Sequence, residues 1–164
     1  MMTRCPQDVS DIYWDLRSQA LQIEPNLLGI DVSSESELIA IMMEFNCSGT
    51  AVALLAVADG TTSLYFGNGG GIIGAGAIAA VRQIACEFVA IASRFTSSAD
   101  SSESTNQIPN EHFVRFYFVT KRGVSTITAL EELLGNGGHR CSDCFYKGQE
   151  LIASIRKHKI GSSD

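Results

Sequence analysis

The sequence predicts an α+β fold: a five-stranded, mainly antiparallel sheet with helices on both faces, in the order α-β-β-β-α-β-β-α. Three observations predict it. Apolar residues recur at three- and four-residue steps near each end and in the middle of the chain, which is the spacing of an amphipathic helix. The short apolar runs between these segments carry hairpin chemistry, above all at Asp59-Gly60. The run from His112 to Thr120 is apolar on both alternate faces apart from Arg115, so it needs cover from two sides. At 164 residues the chain fits a single domain spanning residues 1–164.

The first helix is predicted over Gln7 to Gln22, where Val9, Ile12, Tyr13, Leu16, Ala20 and Ile23 share one face. Pro6 suits its first turn, and Pro25 prevents continuation. Trp14 and Leu21 lie off that stripe. After the polar loop at Ser33 to Ser36, three strands follow at Leu38 to Phe45, Ala51 to Ala58 and Thr61 to Phe66. Asn46-Cys47-Ser48-Gly49 joins the first two. A two-residue turn at Asp59-Gly60, with positive φ at both positions, joins the next pair.

The glycine-rich run Gly67 to Gly76 then reads as an elbow from the meander into a covering helix. The seam of that helix is Ile78, Val81, Ala85, Phe88, Ala92 and Phe95. Ser97 to Asn106 is polar and of low complexity, which predicts a flexible Ser-rich surface loop over residues 97–110. His112 to Thr120 and Val124 to Leu130 form a second strand pair around Lys121-Arg122-Gly123. The last helix runs from Phe145 to Lys159 with Leu151, Ile152 and Ile155 inward, and Gly161 is placed to cap it.

Composition narrows the role. Hydrophobic residues make up 45% and charged residues 18%, which excludes disorder for the chain as a whole. Lys and Arg number 12 against 18 Asp and Glu; a net charge of −6 repels a phosphate backbone and counts against nucleic-acid binding. Neither a secretory signal nor an uncharged apolar stretch of about 18 residues is present, so membrane insertion is not expected. Five cysteines, an odd number at wide spacing, suit a reduced, cytoplasmic setting.

With its hairpin ending in Ala58-Asp59-Gly60, a long central helix and a second strand group, the layout over Gln7 to Lys159 resembles the roadblock and longin group of profilin-like domains. That resemblance implies a non-catalytic module that dimerises and docks small GTPases or motor and scaffold components. The glycine run is a departure from that group. Asp59 to Phe66 followed by Gly69 to Gly74 separately resembles a motif of small uncharacterised bacterial proteins, which implies no activity.

Several motifs invite chemistry. Gly69-x-Gly71-x-x-Gly74 matches the spacing of a dinucleotide fingerprint, in which backbone N–H groups cradle a pyrophosphate. The hairpin context opposes it, because the fingerprint needs a parallel βαβ unit. A weaker anion site at Gly69, Gly70, Gly71 and Gly74, with Arg82 adding charge one turn inside the helix, stays open beside the reading of glycines chosen for backbone shape. Cys141-x-x-Cys144 with His139 offers three nearby metal ligands where zinc needs four. A redox role, or incidental cysteines, are the other readings. His112, His139 and His158 form no Ser-His-Asp pattern, and Glu131-Glu132 point apart as solvated residues.

Trp14, Leu21 and Arg115 are the candidate interface residues. The first two would extend an exposed apolar patch, unless the first helix is simply buried on two sides, and Arg115 would either pair with a carboxylate at an interface or snorkel from an edge strand. These readings point to a non-catalytic protein-interaction module that self-associates, with no cofactor and no metal. The alternative is a protein that binds a small anion or phosphoryl ligand at the glycine-rich turn.

Overall fold

The computed structural model describes residues 9–100 and 105–161. Its elements are α1 (Asp11–Leu21), β1 (Ala40–Cys47), β2 (Thr50–Val57), β3 (Thr62–Phe66), β4 (Gly71–Ile73), α2 (Ala79–Ser93), β5 (Phe113–Thr120), β6 (Gly123–Leu130), α3 (Glu131–Gly135) and α4 (Ser142–Gly161). All six strands join one antiparallel sheet in the order β4-β3-β2-β1-β5-β6. The α+β class and the helices on both faces agree with the sequence; five strands do not.

The additional strand, β4, lies inside the glycine run. Asn68 and Gly69 turn the chain back on itself, with Gly69 at φ 96° and the Asn68 Oδ1 accepting from the Gly70 N–H at 2.9 Å. Gly71 then pairs with Tyr65, where an added Cβ would lie 2.9 Å from the Leu64 carbonyl oxygen. The run is therefore a hairpin before it is an elbow. Apolar patterning does not show a strand in which Gly71 supplies no side chain.

Turn chemistry also falls differently. Positive φ at two successive residues occurs at Ser48 (53°) and Gly49 (85°), between β1 and β2. At the β2–β3 connection only Gly60 is left-handed, at 92°, and the Val57 N–H donates to the Thr61 carbonyl across a three-residue loop. α1 is shorter than its apolar pattern, because Ser10 caps it by accepting from the Ile12 N–H at 3.1 Å. Pro6 and Gln7 lie outside the described residues. α4 starts three residues earlier than the pattern, at Ser142.

Strand alternation divides the core in two. Ile41, Met43, Phe45, Leu54, Val114, Phe116 and Phe118 face α2 and α4, which contribute Val81, Ala85, Phe88, Ala92, Leu151 and Ile155. A large side chain such as Phe88, fully buried, stabilises by about 2–3 kcal/mol through the water it no longer orders. Ala40, Met42, Ala53, Leu55, Tyr117 and Val119 face the other way, toward Tyr13 and Ala20 of α1. β5 lies between β1 and β6 and is covered on both faces, as its two-faced apolar pattern requires.

The Ser-rich segment is anchored where it is described. Asp100 forms an antiparallel bridge with Thr126, Ile108 is buried against the α1 face, and the carbonyls of Thr105 and Gln107 accept from arginines. Residues 101–104 of the expected loop lie outside the described residues.

Candidate functional site

The α1 layer encloses a charged cluster. Tyr13, Arg17 and Ala20 are spaced four and three residues apart and form the buried face of α1. Ile12, assigned by periodicity to that face, is 56% exposed, and Arg17, 3% exposed, points inward in its place. On β1, Met43 and Phe45 face α2, so Glu44 between them must face α1, where it is fully buried.

Four donors converge on that carboxylate. Glu44 Oε2 accepts from the Tyr13 hydroxyl at 2.6 Å and from Arg17 Nε at 2.7 Å; Oε1 accepts from the Tyr117 hydroxyl at 2.6 Å and from Arg17 Nη2 at 3.1 Å. Arg17 also donates to the Tyr117 hydroxyl at 2.7 Å, the Thr105 carbonyl at 2.6 Å and the Gln107 carbonyl at 3.3 Å. Its guanidinium lies 5.3 Å from the Trp14 ring centre and 5.2 Å from that of Tyr117. Burial, reinforced by the Glu44 charge, holds the phenols of Tyr13 and Tyr117 far above their ordinary range. Burial alone would weaken the Arg17 charge, but its bonds to Glu44 outweigh that and keep it protonated.

A carboxylate offers about four lone-pair sites, and here all are taken from within the chain. General-base chemistry needs one of them to face a substrate. The cluster is closed and structural.

Beside it, a groove of about 480 Å³ runs between α1, β6 and the segment at residues 105–106; its walls include Trp14, Arg17, Leu21, Asn106 and Val124. Two of the sequence-derived interface residues, Trp14 and Leu21, therefore share one groove, both half-buried against the α1-side core. Arg115 lies on the same face of the sheet as the cluster. It faces Glu44 in the β1–β5 register and donates to Thr128 Oγ1 at 2.9 Å and to the Gln107 carbonyl at 2.8 Å. It belongs to an interior strand, which corrects the snorkelling-edge expectation.

The glycine positions do not converge on a helix N-terminus. Gly69 is in the β3–β4 turn, Gly71 is in β4, and Gly74 follows β4 at φ 77°, ahead of a short 3-10 turn at Ala75–Ala77. α2 begins only at Ala79. Arg82 extends over the β2–β3 turn, donating to the Asp59 carbonyl at 2.8 Å. Gly76 packs so close to that turn that a Cβ would stand 2.1 Å from the Gly60 carbonyl oxygen. Close backbone packing accounts for this glycine.

Cys141 and Cys144 are both buried, and burial pushes their thiols up, so they remain thiols at neutral pH. His139 Nδ1 accepts from the Cys141 N–H at 3.0 Å, and burial together with Arg140 holds its imidazole below the ordinary range. Cys47 and Cys86 are exposed. Among the described residues no group of three or more His, Cys, Asp or Glu side chains is arranged to hold a metal ion. His158 bonds the Ser154 carbonyl within α4, and Glu131 and Glu132 are both exposed.

Sequence reasoning missed Arg17 and Glu44. The signal was present in Glu44, a lone charge at an inward position of an apolar strand, and in Arg17, four residues from Tyr13.

Comparison with protein-family models, with curated proteins and with solved structures finds no match to this chain.

Proposed function

We propose that the chain is a non-catalytic protein-interaction module acting as a homodimer or scaffold subunit. The observation that carries this reading is the closed state of the buried cluster: the charges of Glu44 and Arg17 are spent on each other, on two tyrosines and on backbone carbonyls. Large apolar side chains stand in water instead, among them Ile12, Ile73, Leu130, Leu133 and Tyr146, with Ile73 69% exposed on the short edge strand β4. Where such side chains adjoin on one face, exposed apolar surface favours association.

The roadblock-like resemblance adds a partner class, a small GTPase or a scaffold component, and the cysteine pattern suits a cytoplasmic setting. No helix among the described residues is long and apolar enough to cross a membrane. Light scattering at tens of micromolar protein tests the reading. A mass of twice the 17.6 kDa chain supports it, and a strict monomer counts against it.

A further inference from the structure

The two helical layers are held to the sheet by different forces. α2 and α4 bury apolar side chains throughout, including Val81, Phe88, Leu151 and Ile155. α1 has three fully buried side chains, Tyr13, Arg17 and Ala20, and two of them are polar. The rest of its apolar contact comes from half-buried residues such as Trp14 and Leu16. Local opening draws on the elements with the least apolar burial, and of the two helical layers that is the one formed by α1.

Arg17 ties a second segment to the same event. Its guanidinium supplies the N–H donor to the Thr105 carbonyl at 2.6 Å and shares the Gln107 carbonyl with Arg115 of β5, while its other bonds hold Glu44. If α1 lifts, Thr105 loses its donor, Gln107 keeps only its bond from Arg115, and Ile108 loses the α1 side of its apolar cover. If Arg17 stays while Glu44 loses its other donors, a buried charge is left poorly compensated, which is costly. When the whole assembly opens, water rehydrates both ions and returns much of their desolvation cost. Partial release is therefore disfavoured relative to complete release.

We propose that α1 and residues 105–108 form one clasp, pinned by Arg17, which detaches from the α1 face of the sheet as a unit while the α2–α4 layer stays folded. The clasp is a conformational device, independent of the proposed interaction role.

Thiol labelling reads it directly. In a full-length background with Cys5, Cys47 and Cys86 replaced by serine, Ala20→Cys reports on α1 and Ile108→Cys on the segment; both parent side chains are buried. The native Cys141 and Cys144, buried in the opposite layer, report on global opening. The clasp requires that the two introduced thiols react at the same rate and faster than the native pair. Tyr13→Phe, which removes one donor from Glu44 without touching residues 105–108, should speed both introduced thiols by the same factor, about ten-fold. Acceleration of Ala20→Cys alone would overturn the proposal. Equal acceleration of Cys141 and Cys144 would also overturn it, because the opening would then be global. Where Tyr13→Phe does not fold, Leu16→Ala, which trims a half-buried contact of α1, serves as the loosening change with both probes in place and the same outcomes.

Discussion

Tyr117 and Glu44 are diagonal neighbours on β5 and β1, and the phenol donates to the carboxylate at 2.6 Å in the buried α1 layer. Placed on adjacent central strands, the two residues fix where α1 must dock. Only a helix bringing a cation and a second hydroxyl in register completes the carboxylate's bonds, and Arg17 and Tyr13 do so at i and i−4.

Alkaline pH should destabilise the protein in a way set by these phenols. Tyr13, Tyr65 and Tyr117 all have folded-state pKa values raised above the ordinary 10.0, chiefly by burial. The unfolded chain therefore ionises first. Stability from these groups is full below about pH 10 and is lost progressively above it, by ~1.4 kcal/mol per pH unit for each tyrosine. Cys141 and Cys144, raised above 9.0, begin a shallower decline about one unit earlier. Urea denaturation between pH 8 and 11 should show the steepening. Tyr117→Phe should remove one tyrosine's share of the slope.

Gly76→Ala should lower stability by about 3 kcal/mol, because its Cβ would meet the Gly60 carbonyl at 2.1 Å, and backbone on both sides must shift. Gly135→Ala, at a position with open space around the added carbon, serves as the control and should change stability little. Chemical denaturation of the two variants checks the contrast. A harmless Gly76→Ala would reopen the question of why the glycine run exists.

The fold was legible where side chains set the pattern. The α2 seam appears at Val81, Ala85, Phe88 and Ala92, and the two-faced apolar strand of β5 lies where the sequence requires a third layer. It was not legible where backbone replaces side chains, as in β4, whose Gly71 leaves no alternation to read. Trp14 and Leu21 lie off the main apolar stripe of α1 in the sequence, and the groove they share needs the tertiary position of residues 105–106. Arg17 and Glu44 were hidden for another reason. Charge normally signals a solvated face, and their burial depends on a pairing 27 residues apart in the chain that no local pattern encodes.

The most direct measurement is the stability of Glu44→Gln by chemical denaturation. A cluster kept for structure must weaken when one charge is removed, because Arg17 is then left buried without its counter-ion; a loss of about 3–5 kcal/mol is expected. Residues kept for binding or catalysis commonly carry a stability cost, and replacing them tends to relieve it. A Glu44→Gln chain as stable as the parent, or more stable, would contradict the structural role of the cluster and with it the non-catalytic reading.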